Sequence, residues 1–259
     1  MAERPAPRAA HTPDPSRSHT GRVVDDLGLA IVSNQIAQGA LLPLDTMLTA
    51  RYHVSRTVIR EAVKTLAAKG LVQARARVGT RVRDRDDWNL FDPDVLLWHA
   101  RSGLSADFLK HLGEMRLALE PEAAALASQR RTASHLKEMW DCVAEMGAPE
   151  ITRGGFVKAD LGLHLLVARA SANPFMVSVS TLIEVALVAM LTTSSPVEDP
   201  RRLSSSVSQH RSIVAAIEAG DAEGARAAMA AVVQTGIDRS RPSPPDGATA
   251  LHHGGRSTA

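Results

Sequence analysis

The chain has 259 residues, 44% of them apolar, with a formal net charge of +2 and a single cysteine. That length and apolar content support one large globular domain or two ordinary ones. No stretch approaches the roughly 18–20 apolar residues that a membrane span needs, and the lone Cys142 excludes an internal disulfide framework and the cysteine-rich zinc motifs.

The charge is unevenly placed. Residues 21–85 hold eleven Lys and Arg against five Asp and Glu, whereas residues 86–240 hold fourteen against twenty. A basic segment joined to a larger acidic one points to a polyanion-binding module beside a part with another task. Residues 1–20 and 241–259 are rich in Pro, Arg, His and Ser without periodicity and read as disordered tails. The first has no apolar signal core, so the expected location is the cytoplasm, with no membrane partner.

From Thr20 to about Gln38, Val23, Val24, Leu27, Ile31 and Val32 keep the 3.6 period of a first helix. "GALLPLD" (39–45) is a turn, and Asp45 is the expected N-cap of a short second helix through about Tyr52. Ser55 then caps a third helix to Lys69, which Gly70 ends. "LVQARARVGTRVRD" (71–84) alternates apolar and basic residues as a hairpin does. Three helices and a basic hairpin over 21–84 make a winged helix-turn-helix, whose partner is double-stranded DNA.

The third helix carries the chemistry of that module. Arg56, Arg60 and Lys64 recur every four residues and so share one face, away from Val58, Ala62, Val63 and Leu66. Ser55 and Thr57 stand at the helix N-terminus, where the dipole favours phosphate. Arg56 and Arg60 can grip a guanine edge bidentately, and Lys64 is placed for backbone. In the wing, Arg75 and Arg77, with Arg81 and Arg83, supply phosphate contacts, and Gly79 lets the backbone approach the duplex.

Residues 85–104 read as a linker anchored by Trp88, Phe91, Leu96, Leu97 and Trp98. Over 105–240 every segment has helical periodicity and none has strand alternation, so the fold class is mainly α: the winged helix-turn-helix plus a C-terminal antiparallel all-α bundle. Cys142 reads as a small buried hydrophobe. Asp160 and His164 share one face of a bundle helix, and His210 lies among apolar residues of a later one. Such a trio can hold a divalent metal, or can be a hydrogen-bonded Asp–His pair with a bystander. Arg116 can receive a carboxylate ligand, or can pair with Glu120 one turn on.

The stretch "LLPLD…VSRTVIREAVKTLAAKGLVQARARVGTRV" resembles the DNA-binding half of GntR-type bacterial transcription regulators, over about residues 21–83. Asp45 stands where that family usually has Glu, and Thr46 where many relatives carry a DNA-contacting Arg, so the operator sequence does not carry over. In the second half, E-x-R-x-x-x-E (114–120), D-x-x-x-H (160–164), Asn173-Pro174 and H-x-x-I-x-x-A-I-x-x-G-D-x-x-x-A (210–225) resemble the FCD effector domain of the FadR branch. The resemblance implies a divalent metal ion such as zinc on Asp160, His164 and His210. It also implies a small carboxylate effector among Arg116, Asp160, His164, Asn173 and His210. Val232 replaces the usual last His ligand, which leaves three ligands to be completed by water or effector, or no metal at all.

"WNLFDPDVLLWH" (88–99) is similar to the corresponding stretch of the regulators of D-galactonate catabolism, which implies a sugar-acid effector. The leading expectation is therefore a homodimeric repressor on two-fold operator DNA. Two other readings stand beside it: a metal-dependent enzyme on an α-helical bundle, and a DNA-binding protein with no effector. Against the enzyme, the chain has no HExxH, nucleophile elbow or phosphate loop.

Overall fold

The computed structural model describes residues 18–193 and 195–240. The two tails expected to be disordered lie outside the described residues, apart from Ser18, His19 and Thr20, which begin the first helix. The chain divides into two compact units. One takes in the chain to Leu104 together with Asn173–Ala189; the other takes in Ser105–Ala172 and the chain from Met190 on. Among the described residues no helix is long and apolar enough to cross a membrane.

The first unit begins with α1 (His19–Val32), capped by Ser18, whose hydroxyl accepts from Gly21 N–H at 3.1 Å. The helix stops six residues short of the sequence expectation because Asn34 takes a left-handed conformation (φ 62), a conformation Asn tolerates. Helix α2 (Asp45–Tyr52) starts on Asp45 itself. Its N-cap is Leu44, whose side chain makes no capping bond, so the expected Asp45 cap is displaced by one residue. Helix α3 (Arg56–Ala68) is capped by Ser55 as the sequence suggests. It closes in a Schellman arrangement: Gly70 (φ 81) donates to the Ala67 carbonyl and Leu71 to the Leu66 carbonyl.

Strands β1 (Val72–Arg75) and β2 (Gly79–Val82) pair antiparallel, with Val72 opposite Val82 and Arg75 opposite Gly79. Leu41 adds a bridge to Arg81, backed by Leu42 N–H to the Thr80 carbonyl at 2.8 Å. Val72 and Val82, paired at the base of the hairpin, turn into the core, while Gln73, Ala74, Arg75 and Arg81 stand in solvent. Leu27, Ile31, Leu48, Ile59, Ala62 and Leu66 fill that core.

The stretch read as a linker contains a helix, α4 (Pro93–Ser102), which packs on α1. Asp25 of α1 accepts from Trp98 Nε1 at 2.7 Å and from Arg101 at 2.8 Å. Gly28 leaves room for the Trp98 ring, since a Cβ there would lie 2.4 Å from it. Lys69 at the end of α3 reaches Asp92 and Asp94, each at 2.8 Å. Trp88, Leu96 and Trp98 are buried as expected, but Phe91 and Leu97 are exposed, being on the outer faces of the turn and of α4.

In the second unit α5 (Ala106–Arg130), α6 (Ala133–Met146), α7 (Arg153–Ala170), α10 (Pro200–Ala219) and α11 (Ala222–Ser240) pack on one another. Two further helices, α8 (Pro174–Ser178) and α9 (Ser180–Thr193), separate α7 from α10 in sequence. Small residues let α5 and α11 approach closely: a Cβ on Gly113 would lie 2.7 Å from Ile237. Gly220 (φ 74) closes α10, and Asp221 caps α11 by accepting from Gly224 N–H at 2.9 Å, so the two helices turn back on each other within a residue or two.

Candidate functional site

Each unit presents its own candidate. On the first, burial of Ile59, Ala62 and Leu66, all fully enclosed, points the opposite face of α3 outward. That face carries Arg56, Arg60 and Lys64, with Ser55 and Thr57 exposed at its start. The Ser55 hydroxyl accepts from Val58 N–H at 3.4 Å, which leaves its own proton for an incoming oxygen. The first turn holds no acidic residue, so its free N–H groups and positive dipole end are unopposed.

Arg60 lies 3.7 Å from Asp45, and Lys64 bonds Glu61 at 2.7 Å. Both pairs are exposed and easily exchanged for contacts to phosphate or base. In the wing Arg75, Arg77 and Gly79 are exposed. Arg77 and Gly79 take positive φ (61 and 113) at the hairpin tip, the first an uncommon conformation for a side chain of that size. Arg83 is engaged by Asp87 at 3.0 Å and so belongs to the base of the wing.

The second candidate is buried in the bundle. Asp160 and His164 lie one turn apart on α7, His210 comes from α10, and Arg116 and Glu120 lie one turn apart on α5. All five are at most 3% exposed. Ion-ligating atoms of Asp160, His164 and His210 lie within 4.8 Å of one another. The structure thus brings together the trio read from the sequence.

Proton bookkeeping shows what the trio could hold. His210 Nδ1–H donates to the Ser206 carbonyl at 2.7 Å, and His164 Nδ1–H donates to Glu120. These outward bonds set both tautomers and turn both Nε2 lone pairs inward. There they meet Asp160: His210 Nε2 is 2.9 Å from Oδ1, and His164 Nε2 is 4.0 Å from Oδ2. Among the described residues, three buried atoms, Asp160 Oδ2, His164 Nε2 and His210 Nε2, have no hydrogen-bond partner. Acceptors facing acceptors repel unless a cation joins them, so the donor set fits a divalent metal with two imidazoles and a carboxylate.

Without a metal a proton must serve. Burial drives the His210 pKa down, but the contact with Asp160 and the Ser206 carbonyl outweigh it and hold the pKa above the usual histidine value. Burial likewise raises Asp160, and His210, His164 and Arg116 together bring it below the usual carboxylate range. Glu120 is also penalised by burial, yet Arg116 and His164 draw it down to about 2. Its carboxylate is therefore charged, bonded to the Arg116 guanidinium on one side and His164 on the other.

Glu120 is the functional residue that the sequence reading passed over. It entered there only as the i+4 partner of Arg116; its contact with His164 spans 44 positions and no local spacing announces it. Of the two readings left open for Arg116, the structure realises the pairing with Glu120. Asn173 falls in the first unit, where its side chain caps α8 by accepting from Phe175 N–H at 3.0 Å. Val232, 8% exposed on α11 beside Met229 and Val233, offers no ligand atom. Cys142 is half-buried, and burial, with Glu145 and Asp141 nearby, pushes its thiol pKa up, as suits an inert packing residue.

Comparison with known proteins matches both units. Residues 19–82 match the family described as bacterial regulatory proteins, gntR family, and residues 111–235 match the FCD domain. The chain is similar to the HTH-type transcriptional regulator YieP of Escherichia coli K12, 35% identical over 162 residues, covering 62% of this chain and 70% of that protein. It is 28% identical to the galactonate operon transcriptional repressor of the same strain over 220 residues, 85% of this chain and 96% of the relative. The repressor NanR of Cronobacter sakazakii is 28% identical over 221 residues, 80% and 79% of the two chains. Among solved structures, Lar, which controls expression of the Listeria monocytogenes agr system, shares the fold with a TM-score of 0.60 at 17% identity, over 88% of this chain and 98% of Lar.

Proposed function

This chain belongs to the gntR family of bacterial regulatory proteins and carries an FCD domain, and from there we propose that it is a repressor whose grip on its operator is set by a small carboxylate. Its class is that of a DNA-binding transcription regulator; the relatives it resembles are regulators, and the enzyme reading is set aside. The protein works in the cytoplasm as a homodimer, two heads meeting the two halves of a palindromic operator. Ser55, Arg56, Thr57, Arg60, Lys64, Arg75, Arg77 and Gly79 form the DNA face of each head.

The observation that carries the effector reading is the charge of the buried set. Arg116 and Glu120 cancel, and Asp160 leaves one net negative charge with both imidazoles neutral. A divalent ion held by Asp160, His164 and His210 reverses this to one net positive charge, sealed from water. A buried unpaired charge is costly, so the loaded site favours a monoanion as its counter-charge. When bound, the metal would supply Lewis acidity toward that anion's oxygens, while Arg116 holds the Glu120 carboxylate that orients His164. A proton on His210 instead leaves the set neutral, with no such demand.

Similarity to a galactonate operon repressor makes an aldonic acid such as galactonate the first candidate. The ligand acts only through its different affinity for the DNA-competent and DNA-incompetent states. Thermal-shift titration with galactonate and related aldonic acids, before and after chelation, tests the reading. Stabilisation by the acid that disappears with the metal supports it, and equal stabilisation with and without metal overturns the charge argument. Gel shift with the DNA upstream of the gene then tests release by the same acid.

A further inference from the structure

The DNA head carries an apolar surface that neither its core nor its cations explain. Leu41, Leu44, Met47 and Val78 are 48%, 69%, 60% and 51% exposed. Scattered apolar residues on a surface need no account, but three of these are gathered. Leu41, Leu44 and Val78 line one open groove of about 410 Å³, whose other walls include Thr46, Arg56 and Arg60. Met47 follows Leu44 by three residues on α2.

Leu44 is the most telling of the four. It occupies the N-cap of α2, where Ser, Thr, Asp or Asn would satisfy a free N–H, and its side chain makes no such bond. The chain gives up a stabilising cap to place an isobutyl group in water. Helix capping does not account for a leucine at this position.

We propose that Leu44, Thr46 and Met47 read thymine methyl groups in the major groove, beside the bases gripped by Arg56 and Arg60. This rests on the reading of the head as the DNA-binding module. The occupant follows from the walls. Two exposed arginines near the N-terminus of α3 favour a polyanion, and the groove they share joins Leu41, Leu44, Val63 and Val78 to a few polar groups, Thr46, Thr80 and the Asp45 carboxylate that lies 3.7 Å from Arg60. On a duplex the base-edge feature that matches an apolar side chain is the thymine C5-methyl, which Thr methyls and aliphatic groups contact. Leu41 and Val78, at the wing side, extend the same apolar wall toward the sugar edge. The operator should therefore carry thymines next to the arginine-contacted positions.

The test uses the full-length protein and duplexes selected from a random pool, so that the binding sequence need not be known beforehand. The best duplex is then remade with deoxyuridine for thymidine, which deletes only the methyls. Wild type should bind the uracil duplex about fourfold more weakly for each methyl it buries. Thr46→Ser, losing one methyl, and the double variant L44S/M47Q should each weaken binding to the thymine duplex and narrow the thymine-to-uracil ratio. Arg60→Ala should weaken both duplexes and leave the ratio as it was. A ratio of one in wild type, or a full ratio retained in L44S/M47Q, overturns the proposal while leaving the head a DNA binder. If the pool yields no enriched duplex, the reading of the head fails and takes this inference with it.

Discussion

Arg60 on the head and Arg116 in the bundle are both arginines opposite a carboxylate, and they live in opposite physical regimes. Arg60 is 71% exposed and 3.7 Å from a half-exposed Asp45; Arg116 is 1% exposed and locked to Glu120. Water screens the first pair, so it contributes little and exchanges freely, as a surface that must accept phosphates requires. The second pair has no water to fall back on, so each member depends on the other. One region keeps its charges available, and the other keeps them committed to each other.

The sharpest way to break this comparison is to remove each arginine in turn. Arg116→Ala leaves Glu120 charged and uncompensated in the bundle and should cost about 3–5 kcal/mol of stability in urea unfolding. Arg60→Ala should change stability by no more than about 0.5 kcal/mol. Equal losses would show that burial is not what separates the two.

A subtler change isolates the relay behind the candidate metal site. Glu120→Gln keeps the shape and an acceptor for His164 Nδ1–H but removes the charge that orients that ring. Metal affinity, read by competition with a chromophoric chelator, should fall roughly 10–100-fold, the usual effect of losing an outer partner of a ligand histidine. The helix content should stay as it is. An unchanged affinity would mean that Glu120 serves only Arg116.

How much of this was legible in the sequence follows the same division. The exposed cationic face of α3 could be read because exposure has a local signature: Arg56, Arg60 and Lys64 at one spacing, Ile59, Ala62 and Leu66 at the complementary one. Asp160 and His164 were legible for the same reason, being one turn apart. Glu120 was not, because its meeting with His164 depends on how α5 packs on α7. The α4 helix hid inside a presumed linker because what orders it, Asp25 on Trp98 and Arg101, lies more than seventy residues upstream. Leu44 escaped notice because the capping preference pointed to Asp45, and the structure overrides that preference by one residue.

On the head, Arg60→Ala should weaken operator binding by about 1–3 kcal/mol if the guanidinium reads a base, and Lys64→Ala by less and without regard to sequence. Gel shifts on the selected duplex and on a scrambled one separate the two outcomes. Loss of the same size on both duplexes would reassign Arg60 to backbone contact.

The smallest expected effect also belongs to the first unit. His99 on α4 lies beside the Trp88 ring, with ring centroids 6.0 Å apart. Burial, and to a lesser extent the nearby Arg85 charge, push its pKa from 6.5 down to about 4. The unfolded chain then binds a proton between those values that the folded head does not, so this group lowers stability as pH falls through that window and adds nothing further below it. Fluorescence of the buried Trp88 and Trp98 should report a lower urea midpoint at pH 5 than at pH 7, and His99→Leu should flatten part of that slope. Carboxylates that titrate lower down are common to both proteins and cancel in the difference. Identical slopes would place the acid sensitivity elsewhere, and the head would then owe none of it to the packing of α4.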